Sequence, residues 1–138
     1  MSARRNLLDK RARQWLQFAQ DDLNVAQAVF VMDQPSASIA AFHAQQAAEK
    51  ALKAYLVYRD IAFPFTHDLD VLMELCREHR DWGAALDGAE RLSKHGAKAR
   101  YPGMEPPVTM DEAHRAAEVA GSVFDAARSA LKDEGLEL

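Results

Sequence analysis

Ser38–Asp60 reads SIAAFHAQQAAEKALKAYLVYRD, and its interpretation decides the fold class. Alanine, leucine, lysine, glutamine and glutamate, which lose least on entering a helix, make up most of it. Ile39, Phe42, Ala47, Leu52, Tyr55 and Leu56 recur at helical spacing, which predicts a helix over roughly Ser36 to Arg59 with these residues inward. The alanines between them let a neighbouring helix approach closely. The polar residues pose the question. His43, Gln46, Lys50 and Lys53 follow one another at three and four residues, so they share one stripe, either a solvated face or a site. Glu49 and Lys53, at i and i+4 in the favourable order, are expected to form a surface pair contributing about 0.3–0.5 kcal/mol.

On the N-terminal side, Trp15, Ala19, Leu23, Ala26 and Phe30 recur at steps of three and four and predict a helix over Lys10 to Met32. The segment DQPSAS breaks it, with Pro35 suited to a first helical position. On the other side IAFPFTHDLD interrupts the pattern, and Thr66 or Asp68 caps a third helix running to about His79 with Leu69, Leu72, Leu75 and Cys76 inward. A fourth is expected from about Trp82 to His95, where Gly96 offers a left-handed stop. Residues 97–108, AKARYPGMEPPV, form a loop too long for a routine helix connection. Thr109 and Glu112 then make a T-x-x-E capping box that opens a last helix from Met110 to about Asp133, with Ala113, Ala117, Ala120, Phe124, Ala127 and Leu131 on one face. No strand is required. The expectation is an all-α protein, an up-and-down bundle of four to five helices. It forms a single domain over residues 1–138, with a core over about 10–132, a short basic lead and an acidic tail.

A chain of 138 residues with 49% hydrophobic and 28% charged residues suits one soluble domain. No apolar run approaches the roughly 20 residues that span a bilayer, and the basic start lacks the apolar stretch of a signal peptide, so a cytoplasmic protein with no membrane contact is expected. The net charge of −4 argues against a general nucleic-acid binder. The cations are nevertheless bunched. Arg4, Arg5, Lys10, Arg11 and Arg13 face one acid, Asp9, while Arg91, Lys94, Lys98 and Arg100 form a run with no acid. Each is either a solvated face or an anion site. Cys76 is the one cysteine, and its place on an apolar stripe marks a buried hydrophobe. Metal-ligand spacings such as H-E-x-x-H, phosphate-cradling glycine loops and nucleophile elbows are absent, so no metal or cofactor is expected.

Three groups remain as candidates: the His43, Gln46, Lys50, Lys53 stripe; FTHDLD, where His67 precedes a helix start; and KARYPG. In the last, Arg100 brings a fixed cationic fork suited to phosphate, and Tyr101 adds a ring and a hydroxyl. Each also has a structural reading, as a helix cap or a buried anchor.

Taken in order, FHAQQAAEKALKAYL, FPFTHDLDVL and ARYPG before an alanine-rich last helix resemble the prokaryotic HEPN domain family from Trp15 to about Leu131. The resemblance implies a helical bundle, commonly a homodimer, often encoded beside a minimal nucleotidyltransferase in toxin-antitoxin-like pairs. It marks Gln45, Gln46, Glu49 and Lys50 as motif positions, with His67, Asp68, Arg100 and Tyr101 completing them. Lys50, His67, Arg100, Tyr101, Gln46 and His43 are therefore the candidate nucleotide- or phosphate-binding residues. Ribonuclease members carry an Arg followed after four to six residues by a His. None of the five histidines here meets that spacing. Arg91 and His95, with three residues between them, come nearest and are the candidate catalytic pair of the alternative reading, a metal-independent endoribonuclease acting on RNA. A purely structural interaction protein is the third. The alanine-rich helices leave the face of such a dimer open; the excess positive charge favours the fourth helix and the long loop.

Overall fold

The structure, a computed structural model, describes residues 2–95 and 107–138. Arg100 and Tyr101 lie outside the described residues. Four α-helices follow one another: α1 (Ala3–Phe30), α2 (Ala37–Tyr58), α3 (Leu69–His79) and α4 (Met110–Asp133), with a 3₁₀ segment, η1 (Ala89–His95), between α3 and α4. No strand occurs among the described residues. The order of contacts fixes the topology. Arg4 meets Asp60, Lys53 lies over Trp15, and His43 bonds Asp22, so α2 runs antiparallel to α1. Phe30 stacks on His114 and Arg13 bonds the Glu137 carbonyl, so α4 is antiparallel to α1 as well.

The helix starts follow the sequence. Ser36, Asp68 and Thr109 accept from Ile39, Asp70 and Glu112 backbone amides, and the Thr109–Glu112 box closes from both sides. α1 begins earlier than its apolar pattern, because Ser2 caps it through the Arg5 amide. The basic lead is thus helical, with Leu8 buried. At the other end Leu136 is buried, so the tail is docked too.

The expected fourth helix is shorter and of another kind. Gly83 and Gly88 stand at φ of +55° and +84°, a left-handed backbone that an α-helix cannot continue through, and regular structure starts only at Ala89. Ile39, expected inward, is exposed, while Phe42, Trp15 and Phe30 are half-buried. Cys76 is fully buried; burial pushes its thiol up to about 12, which makes it an inert hydrophobe.

α2 is the central element, packed against α1, α3, α4 and η1. Ala40, Ala41, Ala44, Ala47, Ala48, Ala51 and Ala54 are all fully buried along it. Small side chains all round let three helices close on one, which is why this stretch reads as alanine-rich rather than simply amphipathic.

Candidate functional site

The motif residues of α2 fold into two matched clusters. Asp22 of α1 is buried, and its Oδ1 accepts from His43 Nδ1 at 2.8 Å while its Oδ2 accepts from Lys50 Nζ at 2.7 Å. Glu49 is 1% exposed, and its Oε1 accepts from Lys53 Nζ at 3.1 Å and His67 Nδ1 at 2.8 Å. A carboxylate can only accept, so the proton of each imidazole sits on Nδ1. The ammonium of Lys53 also lies over the Trp15 ring, at 5.5 Å from its centroid. Gln46 donates to Gln45 Oε1 at 2.7 Å, and Gln45, fully buried, donates to the His67 carbonyl at 3.3 Å.

These bonds decide how the stripe works in the fold. Glu49 and Lys53 are a buried pair, against the expectation of a surface one, with side chains 1% and 9% exposed. A buried ion pair is costly to form and costlier to break; this one lies within α2, and its further contacts, Glu49 to His67 and Lys53 to the Trp15 ring, tie α2 to the loop before α3 and to α1. Asp22 is not among the residues that the sequence singles out, although it completes the first cluster. Nothing in its local sequence marks it; only the antiparallel pairing of α1 and α2 brings it to His43 and Lys50.

A third cluster closes the opposite end. Glu134 Oε2 accepts from the Tyr55 hydroxyl at 2.8 Å, and Glu134 Oε1 accepts from Arg59 Nη1 at 2.7 Å. Arg80 reaches Asp133 and Glu134, and the Tyr58 hydroxyl donates to the Glu134 carbonyl at 2.6 Å. Burial and the neighbouring Glu134 carboxylate push the Tyr55 hydroxyl up to about 12.

The cavity lies elsewhere. A recess of about 520 Å³ opens between the turn 84–88, η1 and the first three turns of α4. Ala84, Leu92, Ala116 and Val119 give it an apolar wall, and Arg91, His95 and Arg115 bring cationic or titratable groups to it. Asp87, Glu112 and Glu118 also line it. Glu112 is engaged in the capping box, and among the described residues neither the Arg91 nor the Arg115 guanidinium has an ion-pair or hydrogen-bond partner. Among the described residues neither guanidinium is paired with an acid, which distinguishes this recess from the clusters on α2.

An α-helical fourth segment would place Arg91 and His95 on one face as i and i+4 neighbours. In a 3₁₀ helix, at three residues per turn, such positions stand about 120° apart, yet both side chains reach the same recess. His95 is buried and Arg91 exposed, so they meet it from different depths. Arg115 is not singled out by the sequence either, since one arginine on an amphipathic helix carries no local signal. Lys50, His43, Gln46 and His67 do not line the recess. No group of three or more His, Cys, Asp or Glu among the described residues could hold a metal ion, and no described helix is long and apolar enough to cross a membrane.

Comparison with known proteins bears on all of this. A search of curated proteins gives no match. Among solved structures the chain is similar to TT1696 from Thermus thermophilus, with 31% identity over 86% of this chain and 97% of that one and a TM-score of 0.72. The profile of the HEPN domain matches residues 12–130, from within α1 to the last turn of α4, and covers the Asp22 and Glu49 clusters, while Asp133 and Glu134 of the third lie just beyond it. On that match the chain belongs to the HEPN domain family.

Proposed function

We propose that this protein is a nucleotide- or phosphate-binding and partner-binding HEPN module, one half of a toxin-antitoxin-like pair with a minimal nucleotidyltransferase, and that its ligand enters the recess beside η1. The observation that carries the reading is the pair of guanidinium groups, Arg91 and Arg115, that line one recess without an ion-pair partner among the described residues. A guanidinium presents a fork of donors that matches a phosphate's oxygens, and it stays charged at any physiological pH. The other lining groups refine the ligand. Asp87 and Glu118 repel a bare phosphate but accept hydrogen bonds from ribose hydroxyls or an exocyclic amine, and Leu92 and Val119 offer apolar contact to a base. A nucleoside phosphate fits that mixture better than inorganic phosphate does. The nucleotidyltransferase partner enters through family membership.

The test is a thermal-shift series with ATP, other nucleoside triphosphates, inorganic phosphate and a short RNA. A ligand that binds only the folded state must raise its melting point. The expected result is a rise with nucleoside triphosphate that Arg91→Ala and Arg115→Ala each abolish while Lys50→Ala keeps it. A rise that survives both arginine substitutions sinks the assignment to this recess.

A second reading has its own observation. Arg91 and His95 line the same recess, so a cation for phosphate charge and a proton carrier sit together as metal-independent RNA cleavage requires. It predicts degradation of a short RNA by the purified protein, lost in His95→Ala, and intact RNA after prolonged incubation rejects it.

A further inference from the structure

The imidazole of His67 is open to solvent and yet firmly held. Its side chain is 64% exposed, while Glu49, whose carboxylate its Nδ1 bonds at 2.8 Å, is 1% exposed. The backbone around it is pinned as well. Gln45, fully buried, donates to the His67 carbonyl, the Asp68 amide donates to Thr66 Oγ1 at 3.0 Å, and the Asp70 amide donates to Asp68 Oδ1 at 2.9 Å. A surface side chain ordinarily turns freely among its rotamers, whereas this one is fixed at its ring and through its backbone.

With the ring proton on Nδ1, the lone pair of Nε2 is the one left over, on the side of the ring away from the buried acid. Lys53 bonds the same Glu49 oxygen at 3.1 Å, so the carboxylate has a counter-ion already and does not need a charged imidazole for that purpose. Phe65, whose ring centroid is 6.1 Å from that of His67, is 98% exposed, so that flank of the imidazole is open too. The other histidines lack this combination. His43 bonds Asp22 through the same nitrogen but has a side chain only 28% exposed, His95 is buried, His114 lies flat on Phe30, and His79 has no carboxylate on its ring among the described residues.

The surroundings select what such a nitrogen can do. The recesses beside η1, along α3 and between α1 and α4 all lie away from His67. A general base needs its substrate held against it, but a nucleophile on an open surface needs only a reagent that reaches it. Among the described residues no group of three or more His, Cys, Asp or Glu stands around it to share a metal ion.

We propose that His67 is a phosphoryl acceptor, whose Nε2 takes the phosphoryl group of an acyl phosphate or a phosphoramidate. The Nε2 lone pair forms the N–P bond. The bond from phosphorus to the donor breaks, and its electrons leave with a carboxylate from an acyl phosphate, or with the amine from a phosphoramidate whose nitrogen arrives protonated. Nothing is oxidised or reduced. Nδ1 keeps its proton, and the ring, now substituted at both nitrogens, carries a positive charge that the Glu49 carboxylate faces across the Nδ1 bond. His67 is thus the nucleophile and Glu49 its positioning residue. Neither lines the recess beside η1, so this site stands or falls apart from the function proposed above.

The test is a time course of the full chain with phosphoramidate and, in parallel, with acetyl phosphate, read by phosphorus NMR and by peptide mapping at alkaline pH, where phosphoimidazoles survive. The phosphoryl group is expected first on His67, at Nε2, ahead of His43, His79 and His114, and His67→Gln is expected to remove it with its helical circular dichroism unchanged. Glu49→Gln keeps an acceptor oxygen and drops the charge; it is expected to slow the reaction at His67 by about tenfold or more, as loss of an orienting carboxylate does. His79 serves as the internal reference for that rate. Where Glu49→Gln does not fold, the residue and the nitrogen modified in the wild type decide alone. No transfer from either reagent overturns the inference. So does phosphate that appears on His79 or His114 as fast as on His67, or a His67 product substituted at Nδ1. A folded Glu49→Gln protein that reacts at the wild-type rate overturns the part given to Glu49.

Discussion

The α2 clusters and the recess beside η1 hold the same kinds of side chain in opposite circumstances. On α2 each cation has its acid: Lys50 and His43 on Asp22, Lys53 and His67 on Glu49. In the recess Arg91 and Arg115 have none among the described residues. Groups that satisfy one another within a chain hold it together, and groups left unsatisfied at a concave surface are available to something else. On the function proposed above, the Gln-Gln-x-x-Glu-Lys helix serves to fix how α1, α2 and the loop before α3 meet, through the bonds of Asp22, Glu49 and His67. The less conspicuous arginines are the ones that face a ligand-sized space.

The sharpest way to break that contrast is to remove Glu49. Glu49→Ala leaves the ammonium of Lys53 buried without its carboxylate and is expected to cost about 3–5 kcal/mol, the range seen when one member of a buried pair is deleted. Urea denaturation measures it. A loss below about 1 kcal/mol means that the cluster is not what fixes the helices, and that Glu49 and His67 belong with the candidate ligand residues after all.

The Tyr55 cluster gives the next effect, read through pH. The hydroxyl ionises near 10.0 when free and is pushed up to about 12 in the fold, so between those values the unfolded chain has released a proton that the folded chain keeps. Stability tied to this group is therefore complete below about pH 10 and falls as pH rises toward 12, by an amount on the order of 2 kcal/mol. Cys76 acts in the same direction from 9.0 upward, so the comparison is made between wild type and Tyr55→Phe. The mutant loses the bond to Glu134, and its stability is expected to fall less steeply across that window. Equal slopes in denaturation series at several pH values show that Glu134 does not hold the hydroxyl in solution.

How far this is legible in the sequence follows from the same physics. α4 is readable to its ends because capping is local: Thr109 and Glu112 are three residues apart and satisfy one another's backbone. The α2 helix is readable for a similar reason, since its composition and periodicity both lie within one segment. The stretch after Trp82 is not, because Gly83 and Gly88 terminate helices only when their φ is positive, and the chain's path decides that. The sites divide in the same way. His43, Lys50, Glu49 and Lys53 stand out on one helix, yet their roles rest on Asp22 and His67, which are distant in sequence. Arg115 gives no signal, since its meaning comes from a recess made jointly by η1 and α4.

A milder substitution sharpens the contrast within α2 itself. Lys50 pairs with Asp22 with its side chain 28% exposed, so water screens much of the attraction. Lys50→Ala is expected to lower stability by about 1 kcal/mol or less, because His43 still satisfies one oxygen of Asp22. Its thermal shift with nucleoside triphosphate should match that of the wild type. A folded Lys50→Ala protein that no longer responds to nucleotide moves the ligand from the recess to the α2 stripe.

The smallest effect on stability is expected where the effect on function is largest. Arg115 is exposed on α4 and touches no acid among the described residues, so Arg115→Ala gives up no ion pair and should change stability by no more than about 0.5 kcal/mol. Alanine is also the stronger helix former, which offsets part of any lost contact of the side-chain stem. Binding depends instead on the cation. Removing one of two guanidinium groups from a recess that also holds Asp87 and Glu118 tips its local charge further toward the negative, which disfavours a phosphate even where the apolar wall is intact. Arg115→Lys separates charge from shape: it keeps the cation and loses the planar fork, so it should recover part of the nucleotide response if attraction dominates and little if two-point recognition does. Isothermal titration of wild type, Arg115→Ala and Arg115→Lys with a nucleoside triphosphate reads both differences. Three indistinguishable titrations, in proteins of equal stability, mean that an unpaired cation beside a cavity is not sufficient to mark a site here.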